Sequence, residues 1–322
     1  MGRIFDGYWQ SLKPLEVEEP VDVWVHRPLA YLLAKLLLPT RISPNAVTVA
    51  SILFGLSALG CMLAQFPLHM PVAGLCVFLS AVADCADGQL ARMRRSSSAL
   101  GRMLDGVADF VVSIAVVGGG AFVVLREHSG SWWEFIVWAL AIAATGVTGS
   151  FHTASYDHYK NLFLRMTHPR YQEGEDLETA LKRHEASKAT ASLWMRVAWA
   201  IYLYYLRSQV DYIRKFDPNT TCAWNQLPAY SPTLGAIYGK HNARLMRQWR
   251  AWFGFGSLTF GLAVATATNY LGLYLILRGI LLNIWYFAYM LPLQRAASRD
   301  AFEEVQTVTN LLPKVAGSAA PN

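Results

Sequence analysis

Residues 83–92 read Ala83-Asp84-Cys85-Ala86-Asp87-Gly88-Gln89-Leu90-Ala91-Arg92, and Gly101, Asp105 and Asp109 follow. Asp84 and Asp87 are three residues apart and Asp105 and Asp109 four, so on helices each pair lies on one face. Apolar runs near 70–91 and 101–125 carry the two pairs, and a short polar turn with Arg94, Arg95 and Ser96 to Ser98 joins them. Such a hairpin brings four carboxylates together at one edge of a bilayer. Ionisable groups at membrane depth are costly and face a bundle interior with a partner. Oxygen-only ligands suit a hard divalent ion, magnesium or manganese rather than zinc. Two ions bridged by the cluster can bind a pyrophosphate and stabilise charge developing at phosphorus. Gly88, Ala91 and Gly101 keep the lining small, so that a nucleotide can approach the backbone.

Outward from this hairpin, the 322-residue chain is 54% hydrophobic and 16% charged. Soluble domains carry about 25% charged residues, so lipid is the expected solvent over much of the length. Six segments, near 44–65, 70–91, 101–125, 132–156, 252–268 and 270–292, approach the roughly 20 apolar residues that a bilayer core requires. The expected fold is an all-α integral membrane bundle of six transmembrane helices, with an N-terminal interfacial helix and a helical cytoplasmic insertion. Residues 21–38 suit the interfacial helix, because His26, Arg27 and Lys35 interrupt an apolar face. Ser43 stands where it can cap the first span, whose first turn tolerates Pro44. Residues 157–250 are the long polar insertion. Within it, 175–188 places acid before base as a surface helix does. Residues 191–213 read as an interfacial or protein-packed helix rather than a seventh span, since Arg196 divides the apolar stretch. The expected divisions are 1–43, 44–156, 157–250, 251–293 and 294–322.

The formal charge is +6, but Lys and Arg cluster beside apolar runs rather than in a basic stripe with interleaved aromatics. Nucleic acid is therefore not an expected partner, and membrane lipid is. Arg92, Arg94, Arg95, Arg102, the 158–250 stretch, Arg295 and Arg299 share one side, while the short connections opposite contain a single basic residue, Arg126. The positive-inside rule places the aspartates and both termini in the cytoplasm, and a bacterial inner membrane is the expected location. Cys61, Cys76, Cys85 and Cys222 have no paired spacing, which argues for inert thiols over a disulfide or zinc site. The first 20 residues lack the apolar core of a cleaved signal, and Asp6 stands where myristoylation wants Ser or Thr.

The pattern Asp-x2-Asp-Gly-x2-Ala-Arg-x8-Gly-x3-Asp-x3-Asp, complete from Asp84 to Asp109, resembles the signature of the CDP-alcohol phosphotransferase family. Pro44-Asn45-x-x-Thr48 is similar to the start of that family's first membrane helix. The resemblance covers roughly 40–160. It implies a metal-dependent, homodimeric transferase that uses a CDP-linked donor and an alcohol acceptor, attacks the phosphorus distal to cytidine and releases CMP. Asp84, Asp87, Asp105 and Asp109 would bind magnesium or manganese, with two ions expected, and Asp109 would also be the general base. Asn45, Thr48, Asp84, Gly88, Ala91, Arg92 and Gly101 would line the cytidine-diphosphate pocket. Phosphatidyl transfer from CDP-diacylglycerol to a polar alcohol is the favoured direction. The alternative is transfer of a phospho-head group from a CDP-linked alcohol to a lipid alcohol, diacylglycerol or ceramide-like.

Other residues carry weaker signals. Asp157, Lys160 and Arg165, at the end of the fourth span, are candidates for acceptor or head-group binding; an ordinary interfacial girdle is the plainer reading. Arg278, inside the last span, is expected to be structural, by snorkelling or by pairing within the bundle. Arg94 and Arg95 fit an anion-holding role and a membrane-anchoring one equally. Residues 240–250 (KHNARLMRQWR) read as a membrane-surface helix, and the histidines show no metal-ligand spacing. A cation transporter built on the aspartates is the rival class. Transporter sites lie near the midplane between repeats, whereas these carboxylates lie at one edge and no repeat relates the halves. A scaffold without activity would have no need of the complete motif.

Overall fold

The computed structural model describes residues 7–64, 66–96, 99–171, 177–188, 193–221 and 227–309, the side chains at 99, 100, 102, 103 and 194 excepted. Cys222 lies outside the described residues. Regular structure among them is entirely helical: α1 (Arg27–Leu37, continuing a π turn Asp22–His26), α2 (Pro44–Leu63), α3 (His69–Met93), α4 (Ala99–Glu127), α5 (Trp132–Thr167), α6 (Leu177–Ser187), α7 (Leu193–Phe216), α8 (Pro232–Trp252) and α9 (Phe255–Ala267). A last long helix, α10 (Leu271–Val308), contains π turns at Leu277–Leu282 and Tyr286–Met290. Ser43 caps α2 as its position suggests, its Oγ accepting Ala46 N–H at 3.2 Å with Pro44 in the first turn.

Five helices among the described residues are long and apolar enough to cross a membrane: α2, α3, α4 from Leu104, α5 and α10. The segment expected to span near 252–268 is the 13-residue α9, about 20 Å long at 1.5 Å per residue and short of a core about 30 Å thick. Its late start has a tertiary cause. Gly254 is extended, and the Glu19 carboxylate accepts the N–H groups of Gly256 at 3.2 Å and Ser257 at 2.8 Å. An acid on the first free N–H groups ends the preceding helix and starts a new one. The last span runs longer than 270–292. Its second π turn directly precedes Pro292, where a regular i−4 hydrogen bond is lost in any case.

The chain divides into two compact units, residues 1–153 with 250–283 and residues 154–249 with 284–322; the division falls inside α5, α8 and α10. In the first, α3 packs against α2 and α9, and α2 against α4. Ala58, Met62, Ala73, Val77, Val112, Val116, Leu262 and Ala263 form its core. Gly74 permits the close approach of α9, because a Cβ there would come within 2.6 Å of the Ala263 carbonyl and of Ala267. Ser51 and Ser80 exchange hydroxyl-to-carbonyl hydrogen bonds of 3.0 and 2.9 Å, which satisfy polar groups inside the α2–α3 seam. Ala30, Ala34, Val47, Val82, Ala83, Ala86 and Leu90 form a smaller cluster that seats α1 on the motif end of α3. In the second unit, Tyr159, Tyr238, Trp249 and Tyr286 are fully buried. Gln294 joins two of its helices, accepting Trp249 Nε1–H and donating to Asn242 Oδ1, each at 2.8 Å.

Candidate active site

Of the four carboxylates expected to meet, the hairpin groups three, and Asp109 stands beside them. One carboxylate oxygen from each of Asp84, Asp87 and Asp105 lies within 4.8 Å of the others. Asp109, one turn beyond Asp105, shares with Asp84 the lining of a cavity of about 30 Å3. Asp87 is 6% exposed and accepts a hydrogen bond from Thr48 Oγ1 at 2.5 Å. Thr48, expected beside the nucleotide, thus orients a carboxylate. Asn45 is exposed at the start of α2, while Gly88, Ala91, Arg92 and Gly101 are half-buried on the hairpin. A Cβ at Gly88 would come within 3.3 Å of Arg92 Nη1, so the glycine leaves room for that guanidinium. Arg92 Nε donates to the Ser11 carbonyl at 2.8 Å. Arg94 donates to the carbonyls of Leu37 at 2.7 Å and Thr40 at 3.0 Å, and to Ile42, which makes it a clasp on the α1–α2 turn. This clasp is a third role, beside the anion-holding and membrane-anchoring ones expected of it.

A larger cavity of about 230 Å3, mostly apolar, shares Ser113, Val117, Phe255, Leu258 and Leu262 with the small one. Arg278 lines it and is 9% exposed, with its guanidinium 5.9 Å from the Tyr274 ring centre. Of the expected snorkelling or pairing within the bundle, the structure shows the second: Arg278 is covered and set against Tyr274 rather than extended to solvent, and among the described residues it makes no ion pair. It stands on the π turn Leu277–Leu282.

In the second unit, Asp157 and Lys160 are brought together and satisfy each other. Lys160 Nζ donates to one Asp157 oxygen, and Tyr205 donates to the other at 3.0 Å. The Lys160 ammonium also lies 4.9 Å from the Tyr156 ring centre. Arg165 is half-buried two turns further on. Nearby, Tyr286 shares hydrogen bonds with Ser155 at 2.6 Å and Tyr212 at 2.8 Å. Asp217 is 1% exposed, and burial pushes its carboxyl up to about 6 against the opposing pull of the Ser298 and Tyr159 hydroxyls, the latter at 3.3 Å.

Sequence reasoning missed the segment before α1. Ser11 meets Gln89 and Arg92, Glu18 pairs with Arg27 at 2.9 Å, and Asp22 holds His26 Nδ1 at 2.9 Å. Oxygen, nitrogen and sulfur atoms of Asp22, His26 and Cys85 also lie within 4.8 Å of one another, so Cys85 is less isolated than its spacing suggests. These contacts join residues up to 81 apart, and no local pattern announces them.

A family model described as CDP-alcohol phosphatidyltransferase matches residues 41–209, just over half of the chain. A protein named bifunctional IPC transferase and DIPP synthase, from Thermococcus kodakarensis, is 30% identical over 130 residues. The matched stretch is 40% of this chain and 27% of that relative, so the chain spans about a quarter of the length of the curated relative it matches.

Proposed function

The chain belongs to the CDP-alcohol phosphatidyltransferase family, and we propose that it transfers a phosphatidyl group from CDP-diacylglycerol to a polar alcohol, with release of CMP. The observation that carries this reading is the convergence of Asp84, Asp87 and Asp105 within 4.8 Å, with Asp109 on the same cavity. An all-oxygen donor set of this density fits a hard divalent ion. Asp84, Asp87 and Asp105 would hold magnesium or manganese, two ions in the full site, which would supply Lewis acidity to neutralise the donor diphosphate.

In this reading the hairpin fixes the carboxylates before substrate arrives, and Thr48 holds Asp87 in its rotamer. Gly88, Ala91 and Gly101 leave space for cytidine diphosphate beside Arg92. Asp109 takes the proton of the attacking hydroxyl. The acceptor oxygen then bonds to the phosphorus distal to cytidine, and the bond from that phosphorus to the bridging oxygen breaks, so that CMP departs with the electron pair. The larger apolar cavity, next to the small one that Asp84 and Asp109 line, supports a lipid as one of the two substrates. The same reading puts a homodimer in a bacterial inner membrane, with the site facing the cytoplasm.

The test is CMP release by purified protein in detergent with magnesium or manganese. CDP-diacylglycerol is offered with a panel of polar alcohols, and CDP-choline and CDP-ethanolamine with diacylglycerol or ceramide. Release only in the first arm supports the proposal, and release only in the second reverses the direction of transfer. Absence of release from every pair by folded, metal-binding protein removes it.

A further inference from the structure

The π turn that leads into α1 meets the motif helix α3 at a second group of ligand-type side chains, and we infer that Asp22, His26 and Cys85 form a binding site for a zinc-like divalent ion. The site stands apart from the function proposed above and does not depend on it. One oxygen of Asp22, one nitrogen of His26 and the sulfur of Cys85 lie within 4.8 Å of one another. Asp22 and His26 stand about one turn apart on the same π turn, and Cys85 comes from α3. Asp22 Oδ1 and His26 Nδ1 are 2.9 Å apart, which sets the orientation of the imidazole. The rings of Phe78 and Phe260 pack on it as well, with centres 5.5 and 5.8 Å from its own. Gly256 makes room for the acid, because a Cβ there would come within 2.2 Å of Asp22 Oδ1.

Three properties set this group apart from an ordinary core contact. His26 is fully buried, yet its Nε2 has no hydrogen-bond partner among the described residues. Buried polar atoms left in that condition are costly and rare. The donor set mixes one oxygen, one nitrogen and one sulfur, which are the ligand atoms of zinc; the aspartate hairpin offers oxygen alone and suits a harder ion. The charges also balance. A divalent ion held by a carboxylate, a thiolate and a neutral imidazole leaves no net charge in a place where net charge is expensive. On binding, the Cys85 thiol would give up its proton to solvent as the metal–sulfur bond forms. The ion would tie the entrance of α1 to the helix that carries Asp84 and Asp87. Cysteine spacing alone pointed to an inert thiol, because the partners of Cys85 arrive from a distant part of the chain.

The test titrates cobalt(II) into full-length protein in nanodiscs, with excess magnesium to occupy the aspartates. A cobalt–thiolate bond gives a charge-transfer absorption that carboxylate ligands do not give. One cobalt per chain is expected to develop this band, and added zinc to bleach it. Cys85→Ser, which keeps the shape of the side chain, should remove the band, while Cys61→Ser, Cys76→Ser and Cys222→Ser should keep it. His26→Gln and Asp22→Asn should each weaken cobalt binding about a hundred-fold, the upper end of the loss seen when even an outer partner of a metal ligand is removed. Zinc should raise the unfolding temperature of wild type and not that of Cys85→Ser. Folded wild-type protein without a thiolate band, or a band that survives in Cys85→Ser, overturns the assignment and leaves a hydrogen-bonded pair beside an inert thiol. CMP release with magnesium is measured separately, so failure of this site and failure of the proposed function are told apart.

Discussion

Asp84, Asp87 and Asp105 turn their oxygens towards one another, whereas Asp157 turns its two oxygens to a lysine and a tyrosine. Both groups stand on helices long and apolar enough to cross a membrane. Gathered carboxylates at that depth are costly unless something positive joins them. A carboxylate that already holds a neighbouring ammonium has little left to offer a ligand. The difference therefore sorts function from architecture better than residue type does. At the level of sequence both stretches offered acids beside basic and aromatic residues.

The strongest way to break this contrast is to remove divalent ions. Exhaustive chelation is expected to abolish CMP release, and manganese or magnesium to restore it; turnover that persists in the metal-free protein would show that the gathered carboxylates need no ion. Next in size is Asp109→Asn, expected to lower CMP release about a thousand-fold, within the range typical for loss of a general base. Under the same assay Lys160→Ala should cost less than about ten-fold, since its partner is a carboxylate rather than substrate. Equal losses in the two variants would erase the distinction.

Asp217 sharpens the comparison as a buried carboxyl whose hydroxyl partners do not offset its burial. Its folded pKa of about 6 exceeds the ordinary value of 3.8, so the native state binds the proton more tightly than the unfolded chain. The stabilising effect is complete below about pH 4 and is lost as pH rises through about 6. The ionised form costs at most about 3 kcal/mol at neutral pH. Asp217→Asn, whose amide oxygen can still accept from Tyr159, should therefore unfold at higher temperature than wild type at pH 8 and at about the same temperature at pH 4.5. A variant with no advantage at pH 8 would mean that the carboxylate is compensated after all. The smallest effect is expected for Asp157 and Lys160. A double-mutant cycle on thermal stability should give a coupling of about 0.2–1 kcal/mol, as for a partly exposed ion pair. A much larger coupling would make this pair more than a local clasp.

The hairpin was legible because helical periodicity is local. Three- and four-residue spacings place Asp84 with Asp87 and Asp105 with Asp109 whatever the rest of the chain does. The Ser43 cap was legible for the same reason. Span lengths were read less well, because hydropathy alone does not see Glu19 arriving at the start of α9 from more than 230 residues away. For Arg278 the position in the last span and a structural role were legible, but its partner Tyr274 and the cavity beside it are properties of packed helices.

By itself, then, the order of residues determined the helical class, the carboxylate hairpin and the family to which it belongs, all of which depend on neighbours within about one turn. Only the tertiary structure decided that Thr48 orients Asp87, that Arg94 clasps a turn, that Asp157 is already engaged and that Ser11 meets Gln89 and Arg92. Each of those depends on groups that meet only once the helices have packed, where the burial of apolar faces chooses the neighbours and polar groups must find partners among whatever is brought near.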